Sequence, residues 1–309
     1  MKVSLAATVR DEAETIERLL SAIDAQTRPP DEVVVVDGGS TDGTLAILER
    51  WADGRAGVIV RSVPGANIAA GRNAAIKEAG GPVIAVTDAG CTPDPRWLEK
   101  LAAPFETGSA DVVMGFYRPD PRSAYERILG CLNLPDAREV DAATFMPSSR
   151  SIAFTKELWE KAGGYPEWLD IGEDMYFNFR CLEHNPRRVF VPDAVVTWRL
   201  RPNIVLTLRQ YFRYAEGDGI ARMYLRRHAL RFGTYGAAAF ALTSRHRRGR
   251  ALAAGAGFGI ARMLPAYRRA FRRLGPPEAT AALIVLPALE LLIDAAKMAG
   301  YLSGRFRSE

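Results

Sequence analysis

Two carboxylates in this chain stand directly behind apolar runs: Asp37 closes EVVVVD and Asp88 closes VIAVTD. An apolar run of that kind reads as a strand buried on both faces, as in a parallel sheet, with the acid at its open end. Ligands in open α/β sheets bind beyond the carboxyl ends of the strands. Asp37, Asp88 and Thr8, which follows the apolar VSLAA, could therefore line one crevice. Spacing removes several other chemistries. STDGTL resembles the end of the phosphatase motif DxDGT, but Ser40 stands where the nucleophilic Asp is needed. Neither GxxxxGK[ST] nor GxGxxG after a strand is present, so ATP hydrolysis and dinucleotide redox chemistry lack support. Residues 38–43 read as a strand-to-helix turn capped by Ser40 or Asp42, which leaves Asp37 unexplained.

The elements needed to position these acids are legible. Residues 3–9 read as a strand. DEAETIERLLSAIDAQT places Ile16, Leu19, Leu20 and Ile23 on one helical face. Residues 32–36 form a strand, 44–51 a helix, 58–60 an extended segment, 69–79 a helix and 83–87 a strand. This β-α alternation argues for an α/β domain with a mostly parallel sheet.

The 309 residues, 48% apolar and 25% charged, suffice for one large domain or a domain with an appendage. Cys91, Cys131 and Cys181 are odd in number and widely spaced, without a CxxC pair, so a reducing cytoplasm is expected. His184, His228 and His246 show no zinc spacing. No signal peptide is expected from MKVSLAATV. Charge is uneven: residues 1–200 hold 22 Lys and Arg against 30 Asp and Glu, whereas 201–309 hold 19 against 6. A basic last third points to an anionic partner.

Taken in order, the segments from ATVRDEAETIERLLSAIDAQTRPPDEVVVVDGGSTDGT through GRNAAI and VTDAGCTPDPRWLEKL to GGYPEWLDIGEDMYFNFR, and more weakly RQYFRY, resemble the family 2 inverting glycosyltransferases over about residues 1–215. The resemblance implies a GT-A (nucleotide-diphospho-sugar transferase, Rossmann-like mixed sheet) domain over 1–205, with a basic α-helical region over 206–309. It implies in-line displacement at the anomeric carbon of a nucleotide sugar. Thr8, Arg10, Glu12 and Asp37 would hold base and ribose, although Gly38 replaces an acid the family often has. Arg72 would approach the nucleotide or its phosphates. Asp88 matches the first acid of the family's Asp-x-Asp metal motif, but Gly90 replaces the second, which weakens a Mg²⁺ or Mn²⁺ site. Cys91 is too soft a ligand to substitute. No histidine occurs in VVTWRLRP, so Arg199 and Arg201 are expected to carry part of the leaving-group charge. Asp174 would be the general base, with Glu173 shaping the acceptor site or tuning that base. Gln210 and Arg213 match a reduced QxxRW motif in which Tyr214 replaces Trp. MPSSRSIAF falls where the family places loops near the acceptor. A non-catalytic nucleotide-sugar binder, glycan binder or membrane scaffold is the alternative, against which the retained acids weigh.

Beyond residue 201, uncharged runs reach only 13, 11 and 11 residues at 232–244, 251–261 and 279–289, short of the ~18–20 of a span. All intervening segments are basic, including Arg245–Arg250 and Arg268–Arg273. That pattern fits segments lying on the cytoplasmic membrane face, peripheral or monotopic, more than alternating spans or a soluble helical pack. Glu290, Asp294 and Lys297 fall on one stripe of an amphipathic helix. A lipid-linked or cell-envelope glycan acceptor would follow from that location. Nucleic acid is not expected as a partner, because interleaved aromatics and known binding modules are missing.

Overall fold

A computed structural model describes residues 1–243 and 248–307. Arg245, His246 and Arg247 of the expected basic run lie outside the described residues. In chain order the elements are β1 (Val3–Val9), α1 (Ile16–Asp24), β2 (Glu32–Asp37), α2 (Thr44–Ala52), β3 (Val58–Ser62), α3 (Ile68–Glu78), β4 (Val83–Val86), β5 (Cys91–Pro93), α4 (Trp97–Glu106), β6 (Val112–Pro119), α5 (Ala124–Asn133), β7 (Ile152–Thr155), α6 (Lys156–Lys161), α7 (Glu173–Leu182), β8 (Arg188–Trp198), α8 (Ile204–Ile220), α9 (Leu225–Thr243), α10 (Arg248–Arg273) and α11 (Pro276–Arg307). They fall into two compact units, Met1–Asp120 with Asp136–Arg199, and Pro121–Pro135 with Leu200–Glu309.

The first unit is an eight-stranded mixed sheet in the order β3-β2-β1-β4-β7-β6-β8-β5. β3, β2, β1 and β4 are parallel, as their apolar runs predict. β7 then runs antiparallel to both β4 and β6, and β5 runs antiparallel to β8. Strand order reverses between β1 and β4, so their carboxyl ends flank a topological switch point. Alternate residues feed two cores. Leu5, Ala7, Val33, Val35 and Ala85 meet Ile16, Leu19, Leu48 and Trp97 on one face. Ala6, Val34, Val36, Ile84 and Val86 meet Ala69, Ile76, Trp159 and Phe177 on the other. Each large aliphatic side chain so buried contributes about 1.5–3 kcal/mol.

The second unit is helical. It includes α5, which the division at residue 205 assigned to the catalytic domain. The physical reason is long-range: Arg269 donates to the Cys131 carbonyl at 2.7 Å, Arg273 donates to the Leu134 carbonyl at 3.1 Å, and Arg127 grips Glu278. α8 and α11 approach at backbone distance, because a Cβ at Gly300 or Gly304 would overlap the Phe212 or Glu216 carbonyl. α11 is long and apolar enough to cross a membrane by length and composition: its most apolar 18-residue window has a mean hydropathy of 1.9, and a third (33%) of that window is buried. Counting uncharged runs missed it, because Glu290 and Asp294 interrupt the run while the helix continues through them. Asp294 is fully buried against Arg231, Arg262 and the Tyr235 hydroxyl, which are 2.7, 3.0 and 3.1 Å away. Exposed apolar side chains recur on this unit, among them Leu230, Phe240, Phe271, Ile284 and Phe306.

Candidate active site

The loops after β1 and β2 are laced together. Asp11 N–H donates to Ser40 Oγ at 2.9 Å, Glu12 N–H to Thr44 Oγ1 at 2.8 Å and Ala13 N–H to Asp42 Oδ2 at 2.9 Å, while Thr41 N–H donates back to Asp11 Oδ1 at 2.8 Å. Asp42 Oδ1 also accepts from the Thr44 N–H at the start of α2, but the N-cap position falls on Gly43 and not on the expected Ser40 or Asp42, so α2 has no side-chain cap. Asp37 is wholly buried, and its carboxylate accepts from the Gly39 and Ser40 N–H groups and from the Ser40 hydroxyl. These bonds tie the Asp37 carboxylate into the turn after β2. Gly38 leaves no room for the family's second acid, since a Cβ there would stand 2.9 Å from the Ala66 carbonyl. Arg10 is exposed and weakly paired with Asp11 at 3.9 Å. Thr8 lies under α3, where a Cβ at Gly71 would overlap its hydroxyl.

α3 delivers Arg72. Asn67 caps the helix by accepting from Ala70 N–H at 2.9 Å. One turn on, Arg72 is 1% exposed, which rules out a surface arginine. Its Nη2 donates to Asp88 Oδ1 at 2.5 Å and its Nη1 to Glu173 Oε1 at 2.6 Å. The guanidinium also lies 5.3 Å from the centre of the Tyr165 ring. Asn73, the next residue, holds segment 163–170 by donating to the Tyr165 carbonyl and accepting from the Tyr165 N–H. Tyr165 in turn stacks on Phe177 of α7 at 4.3 Å. A single helix face therefore brings Asp88, from the end of a strand, to Glu173 and Asp174 at the start of α7.

α7 begins after Gly172, whose φ of 84° suits glycine, and Glu173 and Asp174 fill its first turn, where the helix dipole favours negative charge. Asp174 Oδ1 accepts only from its neighbour Met175 N–H, and Asp174 has no ion-pair partner among the described residues. Burial pushes the Asp174 carboxyl above the ordinary range; Arg72 and Arg150 oppose this and Asp88 adds to it. Burial, with the Asp174 charge adding to it, pushes Glu173 up to about 7 against the pull of Arg72. Asp88 moves the other way: burial raises it, but Arg72 and Arg150 outweigh that and hold it below the usual range.

A residue that motif reasoning did not single out completes this group. Arg150, in MPSSRSIAF, places Nε 3.8 Å from Asp88 Oδ2 and lies 4.2 Å from the centre of the Trp198 ring. Its only sequence signal is its place in a loop near a resemblance-derived acceptor region. Three nearby polar atoms, Arg72 Nε, Thr87 Oγ1 and Trp198 Nε1, are buried without a hydrogen-bond partner. Arg199 is exposed at the end of β8. Arg201, Gln210 and Arg213 belong to the second unit; there Gln210 donates to the Tyr214 hydroxyl at 2.7 Å and Arg213 pairs with Glu216 at 3.5 Å.

The donor set does not fit a protein-built divalent site. Arginines face both oxygens of Asp88, and no group of three metal-ligating side chains occurs among the described residues. Burial, reinforced by Asp88, pushes the Cys91 thiol up to about 12, so it supplies no thiolate. Gly90, in contrast, opens onto free space.

A mixed sheet with acids and an arginine gathered at the switch point defines a GT-A nucleotide-sugar fold. Comparison bears this out. The structure superimposes on a mannosyltransferase, PcManGT from Pyrobaculum calidifontis, in complex with GDP-Man and Mn²⁺, with a TM-score of 0.61 and 23% identity over 100% of this chain and 88% of that one. It also matches S. aureus TarS 1-349 in complex with UDP-GlcNAc, with a TM-score of 0.55 and 20% identity over 99% and 92%. Residues 4–136 match the model of glycosyl transferase family 2. Glycosyltransferase AglE of Haloferax volcanii is 29% identical over 229 residues, 70% of this chain and 72% of AglE. Succinoglycan biosynthesis protein ExoA of Rhizobium meliloti is 26% identical over 71% of this chain and 69% of its own. Residues 4–136 thus resemble a glycosyl transferase family 2 domain, and the chain is similar over about 70% of its length to the glycosyltransferase AglE and to ExoA.

Proposed function

We propose that the chain moves a sugar from a nucleoside diphosphate sugar to an acceptor hydroxyl with inversion. The observation that carries this reading is the Arg72 clamp, which commits Asp88 and Glu173 to one guanidinium and leaves Asp174 as the neighbouring carboxylate without a counter-ion. Asp174 takes the acceptor proton as that oxygen bonds to the anomeric carbon. The bond from that carbon to the diphosphate breaks with its electron pair on the diphosphate oxygen. A carboxylate whose proton affinity is raised suits this role at neutral pH. Glu173 tunes that base and, through Arg72, fixes the start of α7. Arg150, together with the unpartnered Trp198 Nε1 and Thr87 Oγ1, meets the developing diphosphate charge, and Arg199 is a further candidate. Thr8, Arg10 and Glu12 serve the base and ribose on the loop that Asp37 stiffens. Trp168, 58% exposed and edge-on to Tyr176 at 5.2 Å, offers an apolar platform for an acceptor sugar.

Mg²⁺ or Mn²⁺ would find only Asp88, so weak metal dependence is expected. Exposed apolar side chains beside many arginines in the second unit suit a peripheral or monotopic seat on the cytoplasmic membrane face, and with it a lipid-linked or envelope-glycan acceptor. The test is turnover of a panel of UDP-, GDP-, ADP- and dTDP-sugars, with and without EDTA, with the product anomer read by NMR. Turnover of one donor that persists in EDTA and gives the inverted anomer is expected. Retention of configuration, or complete loss in EDTA restored only by metal, would overturn the reading.

A further inference from the structure

The second unit contains a cavity of about 380 Å³ whose lining includes Arg227 and Arg231 from α9, Arg262 from α10, and Glu290 and Lys297 from α11, with Tyr211 of α8. Its charges do not balance. Arg231 is committed to Asp294 at 2.7 Å, and Arg262 is shared between Glu290 and Asp294. Arg227 and Lys297 have no carboxylate partner among the described residues. Arg227 lies 5.6 Å from the Tyr224 ring and the Lys297 ammonium 4.6 Å from the Tyr211 ring. Burial pushes Lys297 down to about 8; Glu290 resists, and Arg227 and Arg231 push it further. A largely buried cation that lacks a counter-ion is costly until an anion arrives.

We propose that this cavity binds a phosphate or diphosphate group. Two cations remain after the carboxylates are matched, and a phosphate monoester carries about two negative charges near neutral pH. The Arg227 guanidinium suits two-oxygen recognition, while Lys297 supplies a point charge. The group belongs either to a lipid headgroup or to a free phosphate. The cavity and its imbalance lie wholly within the second unit, so the inference does not rest on the transfer reading.

The experiment is calorimetric titration of the full-length protein in detergent, without sugar donor, using inorganic phosphate, pyrophosphate and farnesyl phosphate as probes. Saturable binding is expected. It should weaken about tenfold or more in the Arg227→Gln, Lys297→Met double variant and recover when Lys297→Arg replaces Lys297→Met. Farnesyl phosphate binding at least about tenfold tighter than inorganic phosphate would assign the site to a lipid headgroup, and equal binding would assign it to a free phosphate. Should the double variant fold poorly, Arg227→Gln alone is the readout, because that residue is exposed and has no carboxylate partner among the described residues. No binding of any probe, or equal binding by wild type and variant, overturns the proposal.

Discussion

The Arg72 cluster and the Asp294 cluster use the same chemical parts in opposite ratio. Around Arg72, one buried guanidinium is shared by two carboxylates, with Asp174 beside them. Around Asp294, one fully buried carboxylate is shared by two guanidiniums and a phenol. The first is rich in acid, so burial and mutual repulsion leave Glu173 and Asp174 holding protons more tightly, while Arg72 and Arg150 keep Asp88 below the usual range. The second is rich in cations, so burial and, to a smaller degree, Arg227 and Arg231 leave the neighbouring Lys297 holding its proton less tightly, the imbalance on which the proposed anion site rests. Buried ion pairs are weak evidence for net stability. The local excess of one sign is the more informative quantity.

The largest expected effect tests the acid-rich side. Asp174→Asn should lower kcat by about a thousandfold, or about 4 kcal/mol, while circular dichroism and the melting temperature stay near wild type; an active variant would remove Asp174 from the chemistry. Next come the two cluster centres. Arg72→Met and Asp294→Asn should each cost about 3–5 kcal/mol in denaturant unfolding, because each strands buried charge. Their pH dependence should separate them. Without Arg72, the carboxyls of Asp88, Glu173 and Asp174 rise in pKa on folding, so stability returns as pH falls and is lost as pH rises through those values. Without Asp294, the stranded arginines keep their charge, and acid should bring no recovery. Similar pH curves for the two variants would dissolve the comparison.

A smaller effect concerns rate. Activity should fall as pH drops through about 7, where Glu173 takes up a proton and loosens its hold on Arg72. In Glu173→Gln this acid limb should move to lower pH, set by Asp174 alone, as a kcat/KM profile would show. The smallest expected effect is a gain. Gly90 faces open space, so Gly90→Asp should fold and make activity respond a fewfold to Mn²⁺. No response would mean that Arg72 and Arg150 keep Asp88 from any cation.

Apolar runs and turn residues made β1 through β4 and their helices legible, since period and punctuation are local properties. They also placed Asp88 at a strand end. What Asp37 and Arg72 do was not legible. Asp37 turns its oxygens onto its own loop, and Arg72 meets partners 16 and 101 residues away, pairings that only the folded sheet creates. Arg150 escaped because a lone arginine between serines has no periodicity. α5 changed unit for a similar reason, as its carbonyls are taken by arginines more than 130 residues on. The resemblance located Glu173 and Asp174, but their proton affinities arise from burial, which spacing does not reveal.

The cross-laced loops after β1 and β2 have a practical consequence for anyone who would re-engineer the donor. Five hydrogen bonds between residues 11–13 and 40–44 join them into one module. Grafting one loop from a homologue would sever bonds the other loop depends on. On the proposed assignment of these loops to the donor's base and ribose, donor preference would be inherited in pairs of segments, and chimeras that exchange 10–15 together with 37–44 should express where single-loop grafts fail.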